Sequence, residues 1–103
     1  ELLCELAEIF LDQSPALIAA IEAAITSGDA GELRRAAHTL KGSTHVIGGR
    51  ALAAAALRLE SMGREGRLNE AAAAFADLGE SVARLKPALE LAISERAAVT
   101  DSQ

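Results

Sequence analysis

The sequence predicts an all-α fold, an antiparallel up-down four-helix bundle with a short additional N-terminal helix. Half of the 103 residues are hydrophobic, only two are proline, and alanine and leucine are abundant, a composition that favours helices over strands. Apolar residues recur every three or four positions along most of the chain. The connections between these segments are short, which makes consecutive helices antiparallel neighbours. We therefore expect a single domain over residues 1–103, with a core of about 2–96 and a frayed tail at 97–103.

The N-terminal part of the chain has apolar segments on both sides of Ser14-Pro15. Ser14 can cap a helix in which Pro15 is the first residue and which ends near Thr26. The same pattern fits one long helix bent at Pro15, and the sequence leaves these two arrangements open. Gly28 suits the left-handed residue that ends a helix, and Asp29 can cap the next one. The apolar positions of this part are Leu2, Leu3, Leu6, Ile9, Phe10, Leu17, Ile18, Ile21, Ala24 and Ile25.

The next helix, predicted over about Ala30–Ile47, carries a histidine on its polar face. His38 lies roughly 140° from the centre of the apolar stripe at about 100° per residue, so we expect it to face solvent. Lys41 and Gly42 follow about one turn later, and a glycine inside a helix costs about 1 kcal/mol relative to alanine. A gap in the side-chain surface beside the imidazole, through which another molecule reaches it, would offset that cost. Arg34, Arg35, Ser43 and His45 are further candidates for contacts around this site.

The third and fourth helices are predicted over about residues 50–62 and from Leu68 to about residue 96. The chain should reverse at Gly48-Gly49, where glycine permits a tight turn. Residues equally far from that turn lie at the same height, which pairs His38 with Glu60. Glu60 could then accept the proton of the imidazole Nδ1 and leave Nε2 free to react. Pro87 should remove one backbone hydrogen bond from the last helix and bend it.

The stretch around His38 resembles the histidine-containing phosphotransfer (HPt) domain family. The matching residues are His38-Thr39-Leu40-Lys41-Gly42-Ser43-Thr44, followed by Gly48, Leu52 and Leu59-Glu60, and the resemblance covers about residues 2–93. It implies that His38 accepts a phosphoryl group on Nε2 from the aspartate of a receiver domain and passes it to another receiver. Lys41 would neutralise the phosphate charge and Gly42 would give access. Mg²⁺ would come from the receiver, so this domain would need no cofactor of its own.

Two other functions remain open. The bundle could act as a helical interaction or dimerisation module that is never phosphorylated, and loss of His38 would be the sign of it. It could also be the phospho-accepting domain of a chemotaxis-type kinase. That subfamily usually carries a Phe-Gly-Phe-like run where Val46-Ile47-Gly48-Gly49 stands here, which counts against it. No ATP-binding glycine-rich segment is evident, so we do not expect the chain to be a kinase by itself.

Composition and charge narrow the partners and the compartment. The net charge of −5 argues against a nucleic-acid binder, and the single cysteine, Cys4, cannot form an internal disulfide. A metal site is not expected, because His38 and His45 are two helical turns apart, about 10.5 Å along the axis. We expect a cytoplasmic monomer with no apolar run near the ~20 residues that span a bilayer. The chain begins at Glu1 and not at Met, as expected of a domain cut from a longer protein such as a hybrid sensor kinase, although a free-standing domain fits equally well.

Overall fold

The computed structural model describes residues 2–47 and 49–101, and this part of the chain is almost entirely helical. Its elements are α1 (Leu2–Ser27), α2 (Ala30–Ile47), α3 (Arg50–Glu65), a 3₁₀ turn (Leu68–Glu70) and α4 (Ala71–Asp101). Each helix packs against the next one along the chain, and α1 also packs against α4. The fold is therefore the four-helix bundle that the sequence predicts.

The prediction of a separate short N-terminal helix is wrong, because α1 continues without a break from Leu2 through Pro15 to Ser27. Proline removes one backbone hydrogen bond, but its fixed φ is compatible with a helix. Buried side chains on both sides of it, Phe10 and Ile21, hold the two segments on one axis. Ser14 is itself buried and lies inside the helix, so it does not act as an exposed cap.

The predicted connections between helices are present, with one difference. Gly28 has a φ of 75°, and the side chain of Asp29 accepts a hydrogen bond from the Glu32 N–H at 3.1 Å, as expected for the start of α2. Gly66 ends α3 with a φ of 71°. Gly63, which lies just beyond the predicted end of the third helix, is instead buried within α3. At the α2–α3 reversal Gly48 lies outside the described residues.

The fourth helix is longer than the sequence predicts. Leu68–Glu70 form a 3₁₀ turn before α4, which runs through Pro87 to Asp101. Residues 97–101 are thus helical where a frayed tail is expected, and 102 and 103 lie outside the described part. The bend at Pro87 stays a prediction.

The core lies along the contacts between the four helices and is built mainly from alanine and leucine. Because alanine adds little bulk, the helices can approach closely. Leu33, Ala36, Ala37 and Leu40 of α2 are buried, as the periodicity predicts, whereas Ile9 of α1 is exposed although the periodicity assigns it to the core. The largest fully buried side chains are Ile21, Leu33, Leu40, Leu52, Leu59, Leu78 and Thr44.

One segment is more apolar than the sequence analysis expects. Cys4–Ser27, within α1, is long and apolar enough to cross a membrane when judged by length and composition alone. That is weak grounds for a membrane span, since core helices pass the same test. In this bundle Ala7, Phe10 and Ile21 of the segment are buried against other helices.

Candidate functional site

Helix α2 presents His38 to solvent at the middle of the bundle. The opposite face of the helix is fixed by Leu33, Ala37 and Leu40, which are fully buried. This anchoring turns His38 outward, and 67% of its side chain is exposed. The imidazole is therefore reachable by another molecule, as the sequence predicts.

The carboxylate of Glu60, on α3, contacts the side chains of His38 and Lys41 on α2. Its Oε2 lies 2.8 Å from Nδ1 of His38, and its Oε1 accepts a hydrogen bond from Nζ of Lys41, also at 2.8 Å. A third donor, Nη2 of Arg64, reaches Oε2 at 3.3 Å. Only 5% of the Glu60 side chain is exposed, so three donors surround a carboxylate that is almost removed from water.

These contacts favour the ionised form of Glu60. The hydrogen bond from Lys41 lowers the pKa of the Glu60 carboxyl below its usual range, and the contact with His38 adds to this, while burial opposes both. An ionised carboxylate can only accept hydrogen bonds, so Nδ1 of His38 must carry a proton. In a neutral imidazole the lone pair is then on Nε2, which is the nitrogen that can act as a nucleophile.

Arg64 is the site residue that the sequence analysis missed. It lies four residues after Glu60, so the two side chains share one face of α3. This spacing was a usable signal, because an arginine four residues after a buried glutamate is well placed to pair with it. The sequence did not show that Glu60 would also be shared with another helix.

Towards the N-terminus of α2, His38 borders a polar cleft of about 810 Å³. Arg34, Arg35 and Arg64 line this cleft with it. The guanidinium of Arg35 is paired with Glu32 of its own helix. Asp29, Glu32 and Glu60 line the cleft as well, so three guanidinium groups and three carboxylates lie together beside the imidazole.

On the other side of His38 the surface is apolar. Gly42, His45 and the exposed Leu57 line a shallow depression there together with Lys41 and two alanines. A Cβ built on Gly42 would meet no atom within 4 Å, so this glycine leaves open space beside the site. His45 belongs to this depression and lies about two helical turns from His38.

Ser43, the remaining candidate, is engaged elsewhere. Its hydroxyl donates a hydrogen bond to the Thr39 carbonyl at 3.2 Å, within α2. The next hydroxyl, that of Thr44, is buried and donates to the carbonyl of Lys41 at 2.8 Å. Both hydroxyls therefore serve the backbone of their own helix.

Within residues 2–47 and 49–101, no three His, Cys, Asp or Glu side chains are grouped so that they could hold a metal ion. The buried carboxylate of Glu60 is instead surrounded by nitrogen donors. The chemistry available at this site is that of an exposed, oriented imidazole with cations around it.

The comparison with protein families agrees with this geometry. The family model of the Hpt domain matches residues 5–95, which is most of the chain. The chain belongs to the Hpt domain family. An Hpt domain is a histidine phosphotransfer module of two-component phosphorelays, and such modules interact with receiver domains.

A solved Hpt protein has a similar structure. It is the histidine-containing phosphotransfer protein B (HptB) from Pseudomonas aeruginosa PAO1. The two chains are 27% identical and superpose with a TM-score of 0.86, over 89% of this chain and 80% of the other. No curated protein sequence matched the chain.

Proposed function

We propose that His38 is the residue of this Hpt domain that carries the phosphoryl group, through Nε2, between receiver domains. The observation that supports this most directly is the 2.8 Å contact between Nδ1 and the buried Glu60 carboxylate, made by a side chain that is otherwise exposed. It orients the ring and selects the tautomer in which Nε2 is the nucleophile.

The transfer step needs little from the domain beyond this orientation. The lone pair of Nε2 forms a bond to phosphorus as the bond between phosphorus and the receiver's aspartyl oxygen breaks. The aspartate leaves as a carboxylate with the electron pair of that bond. Nδ1 keeps its proton, which stays hydrogen-bonded to Glu60. Transfer to the next receiver is the reverse of this sequence. Phosphoryl transfer depends mainly on positioning and charge stabilisation, so an exposed helix face can support it.

The receiver would supply what the domain lacks. In our proposal Mg²⁺ stays in the receiver's own site and this domain contributes no metal ligand. The receiver would dock over Gly42 and the neighbouring apolar depression, with His45 at its edge and Arg34 on the opposite, polar side. We further propose a cytoplasmic monomer that is no enzyme by itself. This proposal fits a domain attached to a hybrid sensor kinase and a free-standing domain equally.

The test is to incubate the domain with a panel of receivers phosphorylated with radioactive phosphate. The domain should acquire a label that is lost in acid and retained in base, as expected of phosphohistidine. His38→Gln should take up no label. His45→Gln is the matched control, because it removes the other histidine of the chain from the same exposed side of α2, and it should still be labelled.

Labelling of His38→Gln as strong as that of the parent would disprove the assignment. A parent domain that no receiver in the panel labels, but that sediments as a dimer, would support the alternative of an interaction bundle. A domain that binds receivers, but that acquires the label only from a kinase and ATP, would support the chemotaxis-type alternative.

A further inference from the structure

The two cations on Glu60 are held with different strength. Nζ of Lys41 contacts Oε1 at 2.8 Å, and 32% of its side chain is exposed. Nη2 of Arg64 contacts Oε2 at 3.3 Å, and 56% of its side chain is exposed. Shorter charge-assisted hydrogen bonds are the stronger ones, and exposed ion pairs contribute little. Lys41 is therefore the firmly bound cation and Arg64 the loosely bound one.

Arg64 also differs from Lys41 in the carboxylate oxygen that it contacts. It shares Oε2 with Nδ1 of His38, whereas Lys41 is bound to the other oxygen. Arg64 and His38 also line the same polar cleft. The Arg64 side chain is long and 56% exposed, so its guanidinium is able to rotate from Oε2 into this cleft.

Charge balance allows this movement. Glu60 has one negative charge and two cations, so it stays paired with Lys41 if Arg64 leaves. A phosphoryl group on Nε2 adds up to two negative charges next to the cleft. The planar guanidinium binds two phosphate oxygens at once, a geometry that an ammonium group does not offer.

We propose that Arg64 binds the phosphoryl group when His38 carries it, while Lys41 stays on Glu60 and keeps the carboxylate under Nδ1. This rests on the proposed function of His38. When the N–P bond forms and the aspartyl P–O bond breaks, Arg64 exchanges a shared contact at 3.3 Å for two phosphoryl oxygens. Lys41 is thus a positioning residue, and the charge neutralisation that the sequence analysis assigns to it falls to Arg64.

The first test measures how the label distributes at equilibrium between a receiver and the domain. Arg64→Gln should lower the fraction on the domain about 5- to 10-fold, because the charge-assisted contacts of the guanidinium with two phosphoryl oxygens are lost, while the parent gives up only the weak contact with Glu60. Arg64→Lys should restore part of it. The control is Arg58→Gln, an equally exposed arginine of α3 that pairs with Asp77 on α4. It should distribute like the parent, and equal values for Arg64→Gln and Arg58→Gln would overturn the proposal.

The second test removes the receiver. Phosphoramidate, a small phosphoryl donor, is used to phosphorylate the ¹⁵N-labelled domain, and the arginine Nε–H signals are followed by NMR. The Arg64 signal should shift on phosphorylation and the Arg58 signal should not. An unchanged Arg64 signal in a phosphorylated domain would show that the arginine does not bind the phosphoryl group. If the parent takes no phosphate from either donor, the proposed function itself fails, which is a distinguishable result.

Discussion

At the scale of single residues, the site depends on how Glu60 is surrounded. A buried carboxylate is stable only when it is paired and hydrogen-bonded. Glu60 meets this condition through contacts with Lys41, His38 and Arg64. Its side chain therefore links two residues of α2 to one residue of α3. The same contacts set the orientation of the imidazole, so stability and presentation of His38 depend on one group.

We predict that Glu60→Gln lowers the free energy of unfolding by about 1–2 kcal/mol at neutral pH, since glutamine keeps the shape but loses the charge. The folded-state pKa of Glu60 is lowered, so its contribution is present above the unfolded value of about 4.5 and is lost as the pH falls through the folded value. The difference between parent and variant should therefore narrow below pH 4.5.

Urea unfolding over a pH series measures this difference. Glu65→Gln is a suitable control, because its carboxylate is exposed and paired only at the surface with Arg67. A difference between parent and Glu60→Gln that stays constant into acid would show that the charge of Glu60 does not stabilise the fold.

The second prediction at this scale concerns Gly42. Alanine is the better helix former and a Cβ there meets open space, so Gly42→Ala should raise the free energy of unfolding by up to about 1 kcal/mol. Gly42→Gln should also fold, but its side chain would lie beside His38 and obstruct the receiver. We expect an equal or raised melting temperature together with slower phosphotransfer. Normal transfer in Gly42→Gln would show that the gap is not the route of approach.

At the scale of helices, the spacing between α2 and α3 is set at Gly63. A Cβ on this residue would lie 2.7 Å from the backbone nitrogen of Arg34 and 2.8 Å from the carbonyl oxygen of Ala30. These are backbone atoms of α2, which cannot move aside as a side chain can. The absence of a side chain at Gly63 lets the C-terminal end of α3 approach α2, only three residues after Glu60.

We predict that Gly63→Ala destabilises the bundle by about 1–2 kcal/mol, since the overpacking exceeds the gain in helix propensity. It should also slow phosphotransfer, because α3 carries Glu60 away from His38 when the helices separate. Thermal unfolding and the transfer rate measure the two effects. Gly42→Ala is the matched control on the facing helix and should have the opposite effect on stability.

At the scale of the whole molecule, the bundle is elongated, with principal extents of 54 × 19 × 19 Å. Helices α1 and α4 are longer than α2 and α3. Gly49, at the α2–α3 turn, approaches Leu85 in the middle of α4. The C-terminal part of α4 therefore extends beyond that turn, away from His38.

We predict that a chain ending at residue 95 transfers phosphate within about twofold of the parent rate, since residues 96–101 belong to the part of α4 that extends away from the site and terminal segments contribute little. Its melting temperature should fall by only a few degrees. A chain ending at residue 88 also loses Leu89, which is buried, and should be clearly less stable. A large loss of transfer in the longer truncation product would show that the end of α4 takes part in docking.

Much of this could be predicted from the sequence, because helical periodicity is local. Along α2 the positions of Leu33, Ala37 and Leu40 determine which face is buried, and that alone turns His38 outward. The end of α1 at Gly28 and the N-terminal cap of α2 at Asp29 also follow from the residue types at these positions. Even the height of Glu60 opposite His38 follows from counting residues from the turn.

Only the tertiary structure decided the contacts that depend on how the helices are placed. The sequence left open whether Pro15 separates two helices, and burial on both sides of it makes α1 one helix. Periodicity could not show that Arg64 shares an oxygen with His38, or that Gly63 lies against the backbone of α2. Such contacts depend on the distance and rotation between helix axes. These are set by the packing of the whole core, and no single segment contains that information.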